Sequence, residues 1–396
     1  MIFALLTTLV LSAQTEVWQH EYAGELPVFI DSLQARLTYP LAWRHWEKTH
    51  AEEKTMGRRH SRMEQWRQEA RRQVLACMGP QPPRADDWQM EVLAEEQRNG
   101  YTAQRIAFNL SRWYRVKAYL LIPTRTEERE VRYDSQPAVL LMHEHGAHLT
   151  IGKEKVVRPF AVDSAIINDA DAWVRQLYGG QYLGDFLAKN GYVVLAADMP
   201  LWGERGRTEG ADRKKYDIIA GNMMMAGVNL CAFTHYDDMA AAEFLASLPF
   251  VDSQRIATAG LSIGAYRAWM LAALSDRVKA ACCDCWMVTT EAQLTTKYGR
   301  RENGGFANSI PGLRNYLDYP DIASIAAPNP MLLIAGKRDK LFPIPGVEKA
   351  FKVMHEVWDA ANASSNLDTY LLDQGHECSL DNQRMILEFL NKHLKP

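Results

Sequence analysis

Three side chains lying far apart in the chain have the types and surroundings that acyl transfer needs. Ser262 stands in "RIATAGLSIGAYRAW", residues 255–269, where an apolar run passes into a helical pattern through Gly-Leu-Ser-Ile-Gly. In a G-x-S-x-G turn the chain swings from strand to helix and holds the serine backbone in a strained geometry; glycines two positions away on either side remove side chains that would collide there. The hydroxyl then stands above the C-terminal edge of a sheet, and the helix N-terminus favours negative charge developing beside it. A serine alone is a weak nucleophile at neutral pH, so a base and an acid must follow. Asp339, in "LIAGKRDKLFP", comes just after the run "MLLIAG", and His376, in "LLDQGHECS", just after the next run, with Gly375 beside it to free its loop. Taken singly, an Asp after a strand is commonly a turn residue and a loop His a surface residue. In the order Ser, Asp, His, each at a strand's end, the three read as nucleophile, orienting acid and general base.

Such a mechanism needs backbone N–H groups for the oxyanion. Ile263, the residue after the nucleophile, is one expected donor, and the loop "HEHGAHLTIGKEK", residues 143–155, should supply the other. Gly146 gives that loop a tight turn, and either His145 or Ala147 is placed to present its N–H. A rival reading takes His143, Glu144, His145 and His148 as a metal cluster. Further ligands are not evident and a triad needs none, so the expectation is no metal and no cofactor, with the imidazoles shaping the turn and the pocket floor. His143, Glu144, Trp202 and Trp286 are candidate pocket walls, Trp202 with Glu204 and Arg205 in "DMPLWGERGR". Residues 287–325 are a candidate lid.

The elements that would position these groups are legible as periodicity. Short apolar runs at 138–143, 192–198, 255–260, 278–286, 331–336 and 368–373 suit strands buried on both faces, and helical patterns at 176–189, 236–248, 264–274, 346–361 and 382–394 alternate with them. This order predicts an α/β fold with a mostly parallel, doubly wound sheet flanked by helices. Upstream, 90–122 alternates as antiparallel strands do, and 41–78 reads as mostly helical before "GPQPP" stops it. The expected division is a signal segment at 1–13, a mostly helical extension at 14–90 of structural role, and a catalytic domain at 91–396.

Composition narrows the function classes. The 396 residues are 47% hydrophobic and 23% charged with a net charge of −3, which favours a globular chain and gives no sign of a nucleic-acid partner. "MIFALLTTLVLSA" resembles a short export signal cleaved after Ala13, although it lacks a basic start and is too short to span a bilayer. Secretion or a periplasmic location is expected, with the cytoplasm as alternative, and no stable membrane insertion after cleavage. Six cysteines show no metal or redox spacing, and Cys282, Cys283 and Cys285 crowd one strand, so they read as core residues.

From about residue 95 to 394 the chain resembles the α/β-hydrolase superfamily, and within it the branch of dienelactone hydrolases and acetyl xylan esterases. The stretches that carry the likeness are "LLMHEHGAHLTIGKEK", "GYVVLAADMPLWGERG", "VDSQRIATAGLSIGAYRAWMLAAL", "GKRDKLFP" and "DQGHECS". The resemblance implies a carboxylic-ester hydrolase with Ser262, Asp339 and His376 at the triad positions. Two departures stand out: serine replaces the cysteine of true dienelactone hydrolases, and Glu144 stands where glycine is common. The implied partner is a small-molecule or polysaccharide ester, such as an acetylated carbohydrate; no feature speaks to oligomeric state. Two alternatives keep the same order of residues: a serine peptidase of prolyl-oligopeptidase type, for which the chain is too short to include a propeller, and a catalytically silent binding protein on the same fold.

Overall fold

The computed structural model describes residues 37–50, 59–124, 136–206, 213–294 and 305–395. The expected signal segment at 1–13 lies outside them. Among the described residues nine strands form one sheet: β1 Glu91–Arg98, β2 Tyr101–Asn109, β3 Arg115–Pro123, β4 Gln136–Met142, β5 Val193–Ala197, β6 Val251–Leu261, β7 Val278–Asp284, β8 Met331–Gly336 and β9 Leu367–Leu372. Their order is β1-β2-β3-β5-β4-β6-β7-β8-β9. β1 to β3 form an antiparallel meander that pairs antiparallel with β5, and from β5 to β9 every pairing is parallel. All six apolar runs are strands here and the expected mostly parallel sheet is what forms, but the run at 368–373 is not buried on both faces: β9 is an edge strand and lies mostly half-buried.

The helices are α1 Trp43–Thr49, α2 Arg59–Met78, α3 Ser164–Leu177, α4 Leu183–Lys189, α5 Arg213–Met225, α6 Leu230–Ser247, α7 Ile263–Leu274, α8 Thr290–Gln293, α9 Tyr319–Ala323, α10 Ile344–Ala360 and α11 Leu380–Leu394. Successive strand residues point to opposite faces, so each parallel strand feeds two cores. Leu140, Leu195, Ile256, Cys283 and Leu333 pack with α2, α6, α7 and α10 on one side. Their neighbours Val139, Val194, Ala257, Cys282 and Leu332 pack with α3, α4 and α11 on the other. The six cysteines are all free, as their spacing predicts. Among the described residues no single helix is long and apolar enough to cross a membrane.

Two helical expectations need correction. The pattern at 176–189 is not one helix: α3 ends at Leu177, and Gly179 and Gly180, at φ +62° and +81°, turn the chain before α4 begins. Positive φ favours glycine, and two such residues break a helix that side-chain periodicity alone would continue. The helix α5 and all but the last two residues of α3 were not foreseen; α5 escaped because its sequence "RKKYDIIAGNMMM" carries little amphipathic periodicity.

The N-terminal helices dock on the helical layer that covers the sheet rather than standing apart. Trp66, Ala70 and Val74 of α2 are buried in the same core as α7. Arg67 Nε donates to the Ile325 carbonyl at 2.8 Å, and Arg71 Nε to the Ala273 carbonyl at 2.9 Å, with its Nη1 on Asp276. Arg71 thereby meets the last turn of α7, where unpaired carbonyls and the negative end of the helix dipole favour a cation. Two arginines of α2 are thus used in docking.

Candidate active site

Ser262 joins β6 to α7 at φ +56° and ψ −122°, outside the regions a non-glycine residue ordinarily occupies. Its N–H donates to the Asp284 carbonyl at 2.8 Å and its carbonyl accepts from Tyr266 N–H at 3.0 Å, so hydrogen bonds on both sides hold the strained residue. The two glycines have the steric role expected of them. A Cβ on Gly260 would lie 2.6 Å from the Met142 carbonyl oxygen and 2.5 Å from Gly264 C, while one on Gly264 would be driven into that same oxygen and within 3.1 Å of the His143 carbonyl. Alanine at 264 would gain up to about 1 kcal/mol in helix propensity, but overpacking against backbone that cannot yield costs about 1–3 kcal/mol. Gly264→Ala should therefore be a net destabilisation of about 2 kcal/mol, read as a lower denaturant midpoint at unchanged slope.

Asp339 and His376 meet over the C-terminal edge of β8 and β9. His376 Nδ1 lies 2.7 Å from Asp339 Oδ2, and Asp339 Oδ1 accepts from Leu341 N–H at 2.8 Å, fixing the carboxylate plane. Gly336 permits the approach, since a Cβ there would lie 2.5 Å from the Gly375 carbonyl oxygen. Asp339 is buried, whereas the His376 side chain keeps 22% of its exposure. Phe342 lies nearly parallel to the His376 ring at 6.1 Å, and Trp286 packs on Phe342 at 5.4 Å. Trp286 is itself buried in an aromatic cluster with Tyr266, Trp269 and Tyr319. Of the candidate lid, residues 295–304 lie outside the described ones; Val288, Leu313, Leu317 and Ile322 in its flanks are core residues.

Under the elbow, Asp284 at the end of β7 accepts from Asn382 Nδ2 through both oxygens, at 2.9 and 3.1 Å. Burial pushes its carboxyl up to about 6, and the Asn382 hydrogen bonds offset only part of that. Sequence reading missed this pair; a charged residue inside "VKAACCDCW" was the available signal. Cys285 follows at φ +56°, its thiol 3.8 Å from the Gly375 and Glu377 carbonyls that bracket His376.

The loop after β4 carries the remaining candidates. His143 is fully buried: its Nδ1 meets the Glu144 carbonyl and its Nε2 accepts from Met199 N–H, each at 3.0 Å. Burial, followed by the charges of Arg267 and Lys155, holds His143 well below the usual imidazole range, so it is a neutral anchor. Glu144, the departure from glycine, is buried and accepts hydrogen bonds from Trp173 Nε1 and Tyr178 OH. Gly146 and Ala147 turn the loop at φ +58° and +51°. The Ala147 N–H donates to His145 Nδ1 at 2.9 Å. Trp202 lies beneath the loop, buried, its Nε1 donating to the His145 carbonyl at 3.1 Å.

His148 pairs with Asp169 at 2.8 Å and stacks on Trp173. The imidazoles of the rival metal reading thus have separate partners. Among the described residues the acidic trio Glu154, Asp198 and Glu204 is also close enough to hold a cation. The buried Lys153 ammonium already sits on all three, at 2.9, 2.8 and 2.9 Å. Burial alone would raise Glu204, but Lys153, Lys117 and Arg105 outweigh it and hold the carboxyl down at about 2.

A second buried cluster braces α7 against α6. Arg267 pairs with Asp238 through two bonds of 2.6 and 3.0 Å, and His235 Nδ1 lies 3.9 Å from the same carboxylate. Burial first, then Arg267, pushes His235 down to about 3. A histidine depressed in the folded state leaves full stability above the unfolded pKa of about 6.5 and loses it as pH falls, because only the unfolded chain takes up the proton. Between pH 7 and 5 this one group should cost about 2 kcal/mol. A His235→Gln chain should show that much less acid-induced loss in denaturant titrations at the two pH values.

Comparison with known proteins agrees with this architecture. The chain is 28% identical over 333 residues to the Bacillus subtilis protein named "Putative hydrolase YtaP", covering 83% of this chain and all of that one. Among solved structures, one titled a "putative acetyl xylan esterase" from Bacteroides fragilis superposes with a TM-score of 0.63 at 18% identity, over 87% of this chain and 81% of that chain. A glucuronoyl esterase from Solibacter usitatus gives 0.56 at 14% identity, over 82% and 92%. Both share the fold described above. The pattern of the Abhydrolase family matches residues 48–369, most of the described helices and strands included, and the chain belongs to that family.

Proposed function

We propose that the protein is a serine carboxylic-ester hydrolase that works through an acyl-enzyme, with Ser262 as nucleophile, His376 as general base and Asp339 as its orienting acid. The observation that carries this reading is the hydrogen-bonded Asp339–His376 pair on the sheet edge where the strained Ser262 elbow also opens. His376 Nδ1–H donates to Asp339, which leaves Nε2 as the lone-pair acceptor for the Ser262 proton. The alkoxide attacks the ester carbonyl and the imidazolium returns its proton to the leaving alcohol. Water then repeats the sequence on the acyl group. Ile263 N–H, at the first turn of α7, is one oxyanion donor. For the second, the bond from Ala147 N–H to the His145 ring favours His145 N–H over Ala147.

The substrate proposed is an acylated carbohydrate, supported by the acetyl xylan and glucuronoyl esterases that share the fold. A polymeric substrate also fits export through the apolar segment at 1–13. The purified protein should release acetate from acetylated xylan and p-nitrophenyl acetate and leave peptide amides intact. Preference for amides, or failure on every ester of a panel of acetylated xylan, pectin and aryl acetates, would overturn the reading.

A further inference from the structure

Lys155 is fully buried, and among its hydrogen bonds none goes to a carboxylate. Its Nζ donates to the Glu144 and His145 carbonyls, both at 3.1 Å, and lies 5.0 Å above the Trp173 ring. Burying an ammonium without a paired anion costs several kcal/mol, which asks what the charge is for. These two carbonyls belong to the peptide units Glu144–His145 and His145–Gly146, the stretch of the loop that faces the oxyanion assignment above.

In a trans peptide the N–H points opposite to the C=O. A cation gripping the Glu144 oxygen therefore turns the His145 N–H the other way and polarises it into a stronger donor. The His145 carbonyl is held twice, by Lys155 and by Trp202 Nε1. Glu144 clamps the far side of the loop through Trp173 and Tyr178. Gly146 lets the backbone close on this platform, since a Cβ there would lie 2.6 Å from Trp173 Cη2 and 3.5 Å from Lys155 Nζ.

We propose that Lys155 is a positioning residue for the oxyanion hole: its ammonium orients and polarises the 144–146 peptide units so that their N–H groups meet the negative oxygen of the tetrahedral intermediate. Burial, only partly offset by Glu144 and Asp198, pushes the ammonium down to about 8, which still leaves it mostly charged at neutral pH. The proposal rests on the serine-esterase reading. The substrate carbonyl gains negative charge only on the way to the intermediate, so the effect belongs in kcat and not in KM.

Lys155→Met keeps the length and removes the donor. Its kcat on p-nitrophenyl acetate should fall on the order of ten- to a hundredfold with KM within about twofold. Fluorophosphonate labelling should slow in proportion, since the phosphoryl oxygen also needs the hole. A folded Lys155→Met chain with wild-type kcat overturns the proposal, as does a loss confined to KM. Trp202→Phe, which removes the second donor to the His145 carbonyl and keeps a ring, covers the case in which Lys155→Met does not fold: several-fold lower kcat supports the inference and unchanged kcat overturns it. Ser262→Ala assayed alongside separates the two readings. If that variant stays active the esterase assignment fails, whereas an inactive Ser262→Ala beside a fully active Lys155→Met defeats only the role given to Lys155.

Discussion

Ser262→Ala should lower kcat on p-nitrophenyl acetate by about four to six orders of magnitude and abolish covalent labelling by a fluorophosphonate, with KM little changed. The size follows from what the substitution leaves. In the proposed mechanism the oxyanion donors and the binding surface remain, and in comparable enzymes these alone retain roughly 10³–10⁴ over water. What disappears is the covalent step, and with it the purpose of the histidine and the aspartate. Losses at the three positions should therefore fail to add: His376→Ala in the Ser262→Ala background should cost almost nothing further. The Ser262 side chain makes no capping bond to α7, so the variant should unfold at nearly the wild-type denaturant concentration; full activity in a folded Ser262→Ala chain would remove the nucleophile from the mechanism.

The second large effect is expected at Asp339. An asparagine there can keep the bond from Leu341 N–H through its carbonyl oxygen, now made to Asp339 Oδ1 at 2.8 Å. Its amide nitrogen then faces His376 Nδ1, 2.7 Å from the oxygen it replaces. An N–H directed at Nδ1 forces that nitrogen to be the acceptor and leaves the proton on Nε2, the wrong tautomer to receive one from serine. Asp339→Asn should lower kcat about 10⁴-fold at neutral pH while leaving KM and the denaturant midpoint close to wild type. A loss below tenfold would place the orienting acid elsewhere. Asp284, which ends the neighbouring strand β7, is the next carboxylate to examine, although both of its oxygens are occupied by Asn382.

Periodicity and punctuation made the architecture legible. Runs such as "MLLIAG" are apolar on both sides because β8 is sandwiched between two cores, and that burial leaves little else they could form. The elbow was legible for a related reason: a strained serine needs glycine at 260 and 264, and such a need is visible in sequence. Asp339 and His376, which the structure pairs, stood out by their place after strands, where parallel sheets gather ligand-facing groups. What stayed hidden was pairing. Nothing in "HEHGAHLTIGKEK" tells that Lys153 neutralises three carboxylates while Lys155, two residues on, meets carbonyls instead. Likewise Glu144 looked like a pocket wall, and its role became visible only once Trp173 and Tyr178 arrived from α3 and the turn that ends it. The break between α3 and α4 escaped for the opposite reason, since the apolar pattern ran on through two glycines whose backbone geometry periodicity does not record.

The docking of α2 bears on how the molecule would come apart. Arg71 grips the end of the helix that begins at Ser262, and Trp66 and Val74 share a core with that helix. Heat or denaturant that loosens the N-terminal segment would uncover apolar surface on the back of α7 and release its final carbonyls at the same moment. The segment and the sheet would then melt together as one cooperative unit, and a chain trimmed to begin at β1 would be left with a sticky, aggregation-prone flank.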